Sequence, residues 1–517
     1  MATSRSEQHH TGKAFAASGH PQVTATACRI LRAGGNAFDA VVAAGFAASI
    51  LEPALTSLGG GGFLLARTAA GAATLFDFFV DTPGRDLPDT ASDPHFIPVT
   101  VRFPSSDQIF NVGMGSVATP GNLAGFLHVH CKLGCLPLSE VLQPAIELAR
   151  DGAEINEQQA YFLRLLEPIM TLTPAAKALY APAGQLLQMG EKLHNPQLAE
   201  FLIALPAAAQ GSTDATKPPF YHGALAQLIE QDMQAGQGLL SAADLAAYQV
   251  LEREPLQITY RGHTLLTNPG PSFGGRMLSL SLQLLEAAEL QACEFGSSRQ
   301  LAALAAAQET ASQCRSGYLD GTLEDRVLSD SIHQVRLFSR GTTHVSVCDA
   351  HGNAASMTTS NGEGAGYVVP GTGIMLNNML GEDDLHPQGF HTSPPGQRVA
   401  SMMAPSILLD DNEVRLVLGS GGSKRIRTAL LQVISNSVDF DMELRQAIAA
   451  PRLHWDGEQI QLEPGFPPAS QAILAQRWPV NAWPESNMYF GGVHAVSPSA
   501  GQAAGDPRRG GFAASAD

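Results

Sequence analysis

Apolar positions run almost unbroken from Ala37 to Leu51, with Asp39 the only charge, and stop at Glu52 and Pro53. The alanine-rich run predicts a buried, closely packed helix, too short and interrupted for a membrane span. A shorter helix, Thr24 to Ala33, precedes it and is closed by Gly34 and Gly35. The period then changes: the glycines of SLGGGGF (57–63) lead into an apolar strand, Phe63 to Ala66, followed by a second at Thr74 to Val80. Thr119, Pro120 and Gly121 turn into a helix reaching about His130, and Leu138 to Arg150 has amphipathic helical spacing ended by Asp151 and Gly152. Residues 157–250 read as mostly helical, with a surface loop at Pro206 to Pro219 where Ala, Pro, Gly, Ser and Thr collect.

From Leu301 an alanine-rich helix gives way to a polar, acidic tract, Tyr318 to Arg340, and then to GTTHVSVCD, which alternates like a strand. Asp349, His351, Gly352 and Asn353 mark a hairpin turn into a second strand, Ala354 to Thr359. Ser406 to Leu409 and Val414 to Leu418 predict two strands joined by DDNE, and SGGSKRIRTALLQVI a glycine turn opening a helix. The polar tail GDPRRGGFAASAD reads as loop. No internal repeat is visible.

Composition narrows the function classes. With 44% hydrophobic and 15% charged residues, 517 residues bury a large core, and the reading is a globular, enzyme-sized protein. The net charge of −17 is spread without runs of like sign, which argues against nucleic acid and for a solvated acidic surface. Six cysteines are few for this length. Cys131 and Cys135 in CKLGC lack a second pair at ligand spacing, so the reading is a helix burying small residues, with no metal and no disulfide framework. The opening MATSRSEQHHTGKAF has no apolar h-region, and the expectation is a cytoplasmic protein that binds no membrane.

Candidate chemistry begins at Gly341, Thr342 and Thr343. A threonine at the start of a chain is a strong amide nucleophile, because its own α-amine, with a pKa near 8, accepts the hydroxyl proton. That requires a backbone cut before Thr342, and the small Gly341 leaves room for the attacking hydroxyl. Taken alone, a threonine pair is ordinary sheet surface. An oxyanion formed by such an attack needs aimed donors, which the N–H groups of Gly421 and Gly422 in GSGGS can supply. The same glycines also fit a plain helix-opening turn or a phosphate cradle, but GSGGSKR lacks the GxxxxGK[ST] spacing. SLGGGGF likewise lacks a dinucleotide fingerprint and reads as a tight turn.

Ten collinear segments across residues 20–511 resemble the γ-glutamyltransferase (glutathione hydrolase) family. They are HPQVTATACRILRAGGNAFDAVVAA (20–44), EPALTSLGGGGFLL (52–65), TPGNLAGF (119–126), LQPAIELARDG (142–152) and LLSAADLAAYQV (239–250). PGPSFGG (269–275), TTHVSVCDAHGNAASMT (342–358), PGTGIMLNN (370–378), GSGGSKRIRT (419–428) and GDPRRGG (505–511) complete the set. The resemblance implies an α+β fold, the four-layer αββα sandwich of the N-terminal nucleophile hydrolases. It also implies a precursor cut into a large subunit, 1–341, and a small subunit, 342–517, which stay associated in one composite domain and leave a homodimer open.

By position, the resemblance implies that Thr342 is both the self-cleaving and the acyl-accepting residue, followed by Thr343 of the same motif. Ser360 falls where the family has a second hydroxyl that orients the nucleophile, and Gly421 and Gly422 match the oxyanion pair. Asn361, Asp384 (or its neighbour Asp383) and Ser401 fall near positions that grip the α-amino and α-carboxylate groups of a glutamyl substrate. One departure stands out. Where familiar members carry an arginine in F-R-E-x-x-P, this chain reads Phe78, Phe79, Val80, Asp81, Thr82, Pro83, so Phe79 replaces a cation that would clamp the substrate carboxylate. Arg85 is the nearby candidate substitute.

The implied activity is cleavage of a γ-glutamyl or related amide through a threonyl acyl-enzyme, resolved by water or an amine, with no cofactor. The alternatives are an acylase of the same fold acting on a cephalosporin-type side chain, poly-γ-glutamate or a secondary-metabolite amide, and an inactive binding protein that keeps the fold.

Overall fold

The computed structural model describes residues 13–87, 95–103, 106–211, 218–314, 341–386 and 389–516. Two antiparallel sheets lie face to face. The first has the strand order Phe512–Ser515, Phe15–Ser18, Thr343–Cys348, Ala354–Ser360, Gly61–Arg67, Ala73–Phe78, Leu251–Arg253. The second runs Gln502–Ala504, Gly492–Ser497, Glu413–Gly421, Ser406–Asp410, His263–Thr267, Leu256–Tyr260.

Strand alternation sorts the side chains into layers. Leu64, Ala66, Phe76, Phe78, Val345, Val347, Ala355 and Met357 leave the first sheet outward, into one core with the helices Pro21–Arg32, Ala37–Leu51, Asn122–Leu133 and Leu138–Asp151. Phe15, Ala17, Phe63, Leu65 and Leu75 point the other way, toward the second sheet, whose far side is covered by Gly274–Glu286, Ser298–Gln313 and Arg425–Asp439. The architecture is therefore α+β, with helices on both outer faces of a sheet pair.

The helix Ala37–Leu51 matches its expected bounds because its start is strongly encoded. Asn36 Oδ1 accepts the N–H groups of Phe38 and Asp39 (2.9 Å each), and Asp39 Oδ2 accepts the Asn36 N–H (3.1 Å) in a reciprocal cap. Its C-terminal cap is Glu52, a carboxylate that the helix delivers into the interior. The expected hairpin appears as Thr343–Cys348 against Ala354–Ser360, pairing Thr343 with Thr359 and Cys348 with Ala354.

Three expectations need correction. The C-terminal tail is not loop: Phe512–Ser515 is an edge strand pairing Phe512 with Ser18 and Ser515 with Phe15. Short alanine-rich strands carry little propensity of their own, and here the open edge of Phe15–Ser18 decides. At Pro206 the helix Pro196–Gly211 continues, since Ala207 to Ala209 are strong helix formers; residues 212–217 lie outside the described residues, as does the tract 318–340. Cys135 lies beyond its helix, which ends at Leu133, and its backbone N–H donates to Asp39 (3.1 Å). Among the described residues no helix is long and apolar enough to cross a membrane.

Candidate active site

Thr342 lies at the threshold of the central strand Thr343–Cys348 and is buried. Because Thr343 pairs with Thr359, Thr342 stands level with Ser360, which in turn pairs with Gly61. Gly62 pairs with Phe78, so the same row continues to Phe79. Further down the strand, His344 and Ser346 point between the sheets: His344 Nδ1 meets Thr358 Oγ1 (2.8 Å), Nε2 meets Ser346 Oγ (2.9 Å), and Ser346 donates to His494 O (3.0 Å). Burial holds the His344 imidazole well below its usual pKa, so it stays neutral. This satisfied polar ladder locks the strand that carries Thr342.

The bond before Thr342 is held tightly. Ser360 Oγ donates to the Gly341 carbonyl (2.5 Å) while accepting the Gly362 N–H (3.0 Å), an arrangement that polarises the hydroxyl toward that carbonyl. A Cβ on Gly341 would lie 2.2 Å from Gly362 O and 2.6 Å from Ala54 O, so only glycine fits there.

From the facing sheet, Glu413–Gly421 ends against Thr342: a Cβ on Gly421 would lie 2.3 Å from Thr342 O. Gly421 is the last residue paired with the neighbouring strand, opposite Gly492. The chain then turns at Gly422 (φ +122°) and Ser423 (φ +53°) into the helix Arg425–Asp439. Among the described residues the N–H groups of Gly422 and Ser423 have no acceptor, leaving two adjacent donors next to Thr342. The expected pair of Gly421 and Gly422 thus sits at this turn, and Ser423, which the sequence did not single out, adds the next N–H.

On the other flank of Thr342 lies a small pocket lined by Gly19, Glu52, Gln158, Thr343, Gly421, His494 and Arg509, among others. Thr343 Oγ1 donates to Glu52 Oε2 (2.9 Å). Burial pushes the Glu52 carboxyl up to about 7, against the Thr343 hydrogen bond and the charge of Arg509, which favour the ionised form. His494 Nδ1 accepts the Asp506 N–H (3.3 Å), and burial lowers the imidazole to about 4, leaving it neutral. None of Glu52, His494 or Arg509 was picked out by sequence reasoning; the available signal was a carboxylate ending an otherwise apolar helix.

The raised Glu52 value has a measurable consequence. In the folded protein Glu52 takes up a proton between its ordinary 4.5 and about 7, so its contribution to stability is present below pH 4.5 and is lost as pH rises through about 7. Glu52→Gln should therefore gain roughly 3 kcal/mol relative to wild type between pH 4.5 and 7.5. Thermal melts across that range test it, and a difference that does not change with pH would remove the argument.

The remaining expected residues divide. Asp384 is brought to the turn: Ser423 Oγ donates to it (2.6 Å) and Lys424 Nζ pairs with it (2.9 Å). Asn361 follows Ser360, with its Oδ1 buried and without a hydrogen-bond partner among the described residues. Ser401 instead braces a loop: its carbonyl accepts from Phe273 N (2.8 Å) and Ser272 Oγ (2.7 Å), and its hydroxyl accepts the Met403 N–H (3.1 Å). Phe79 stacks on Phe63 with ring centroids 5.4 Å apart. Arg85 does not turn toward Thr342; its Nε lies 4.0 Å from Asp244 and its backbone N–H donates to the same carboxylate.

Comparison with known proteins agrees with this geometry. The sequence model of the family described as Gamma-glutamyltranspeptidase matches residues 23–516. The chain belongs to the gamma-glutamyltranspeptidase family. Members similar to it include the glutathione hydrolase proenzyme of Escherichia coli (strain K12), 33% identical over 86% of this chain and 82% of that protein. The acylase ACY 1 proenzyme of Pseudomonas sp. (strain SE83) is 32% identical over 92% of this chain and 88% of its own. The crystal structure of a cephalosporin acylase from Bacillus halodurans superposes with a TM-score of 0.78 over 99% of this chain and 97% of that one; at 24% identity it speaks for the shared fold. The family thus spans glutathione hydrolases and acylases, and both kinds lie at similar distance from this sequence.

Proposed function

We propose that this protein is a self-cleaving threonine amidohydrolase or acyltransferase, cut between Gly341 and Thr342 into fragments 1–341 and 342–517 that remain together. The carrying observation is the Ser360 hydroxyl on the Gly341 carbonyl. Thr342 Oγ attacks that carbonyl, the C–N bond breaks to give an ester and a free α-amine, and water releases the ester. The freed amine then accepts the Thr342 hydroxyl proton as the same oxygen attacks the carbonyl of a γ-glutamyl or related amide. The free N–H groups of Gly422 and Ser423, at the turn that Gly421 opens, hold the oxyanion, the leaving amine takes the proton, and water or an acceptor amine resolves the acyl-enzyme. The unpartnered Asn361 Oδ1 supports a role in receiving an amine hydrogen.

Ser360→Ala is expected to slow self-cleavage by about 10²–10³-fold, the usual loss for one oxyanion donor. The rate at which a fragment beginning at Thr342 appears, followed by intact mass, is the readout; an unchanged rate would dismiss Ser360. A second reading is favoured by Phe79, whose stacked ring offers no cation to a glutamyl carboxylate: the acyl donor differs from glutathione. Comparing hydrolysis of glutathione with that of a glutaryl amide separates the two.

A further inference from the structure

The row Thr342, Ser360, Gly61, Phe79 ends in an apolar ring, and the cations near that end are engaged. Arg398 pairs with Asp77 (3.2 Å) and Asp81 (2.9 Å) and donates to Phe79 O, Tyr248 Oη and Gln249 O. Arg85 lies against Asp244, and Arg253 pairs with Asp77 (2.8 Å).

On the opposite flank the situation reverses. Arg509 is 5% exposed, and none of its three guanidinium nitrogens has a hydrogen-bond partner among the described residues. A buried guanidinium left so is costly unless something meets it. Neither acid near it hydrogen-bonds to it: Asp506 pairs with Arg452 (2.6 Å) and Arg508 (3.2 Å), and Glu52, which accepts from Thr343, acts on Arg509 through its charge alone. Burial and the charge of Arg425 accordingly pull Arg509 down to about 10.

The site is also built for it. A Cβ on Gly492 would lie 2.4 Å from Arg509 Cδ, so the stem crosses a strand where only glycine lets it pass. Its tips abut the oxyanion turn: Nη1 is 3.2 Å from the Cβ position of Gly421, and Nη2 is 3.1 Å from that of Gly422. The Gly421 position is itself 2.3 Å from Thr342 O, so the guanidinium and the nucleophile flank one point.

We infer that Arg509 is the specificity-determining residue for the acyl donor, receiving a carboxylate carried on the acyl chain and replacing a cation at Phe79. The inference rests on the amidohydrolase reading and adds the substrate class, a carboxylate-bearing acyl group. A planar guanidinium with free nitrogens matches a carboxylate in two parallel hydrogen bonds.

The test uses the full-length protein and two pairs of p-nitroanilides: glutaryl with its isostere 5-methylhexanoyl, and γ-glutamyl with 4-aminobutanoyl, each pair differing in one carboxylate. Arg509→Gln should lower kcat/KM for the carboxylate-bearing member at least about 30-fold more than for its twin, mainly through KM, with Arg509→Lys intermediate. Equal losses within each pair overturn the inference. Should Arg509→Gln fail to mature, inhibition of the wild type decides: glutarate must bind at least ten times more tightly than 5-methylhexanoate, and equal inhibition overturns the assignment. Wild-type protein that cleaves none of the four donors overturns the amidohydrolase reading itself, and this inference with it.

Discussion

Thr342→Ala is expected to give a single uncut 517-residue chain whose amide hydrolysis falls at least about 10⁴-fold, to the level of an unassisted site. Loss of the hydroxyl removes the attacking atom from two reactions at once, so maturation and turnover should vanish together. Thr342→Ser, which keeps the oxygen, should still cut and turn over, more slowly. The fold should survive in both, because the ladder His344–Thr358–Ser346 lies beyond the substituted residue. Intact mass, N-terminal sequencing and anilide release read the result. A fragment starting at residue 342 in the alanine variant would mean that another group performs the cut, and the assignment of Thr342 would fall.

Asp506→Ala should cost about 3–5 kcal/mol of stability, the usual loss when one partner of a buried ion pair is removed. Asp506 is fully buried and serves Arg452, Arg508 and the Val493 N–H at once. Burial raises its pKa, but the two arginines outweigh that and hold the carboxyl below its usual range. Without it Arg452 loses its counter-charge, while Arg508 keeps Glu463 (2.6 Å). Urea unfolding measures the difference, and a loss under about 1 kcal/mol would show that the cluster tolerates an uncompensated charge.

Asp506 and Arg508 of that cluster sit in a segment whose letters, GDPRRGGFAASAD, read as loop. Nothing local marks Phe512–Ser515 as a strand; its partner is Phe15–Ser18, nearly five hundred residues earlier, and short-range pattern carries no trace of such a pairing. By contrast, Ala37–Leu51 was legible to the residue, because a reciprocal cap and an apolar run are local signals. Within the site, Thr342, Ser360 and the glycine turn were legible through family motifs. Glu52, His494 and Arg509 were not, since three residues from distant elements meet only when strand Phe15–Ser18 and the C-terminal turn close around Thr343. The alternation of Thr343–Cys348 marks a strand, and its polar side faces the second sheet, where His344 and Ser346 satisfy one another.

The strand order has a consequence for the life history of the molecule. Across the first sheet the segments before and after residue 341 alternate: 512–515, then 15–18, then 343–348 and 354–360, then 61–67. A cut at that point leaves every rung of the ladder in place, so the two pieces are bound as a folded chain is bound to itself. Unfolding, however, would then release two molecules where there had been one. Assembly before the cut is unimolecular and independent of concentration, whereas reassembly after it is bimolecular, and a protein that denatures late in its life has lost the route by which it first folded.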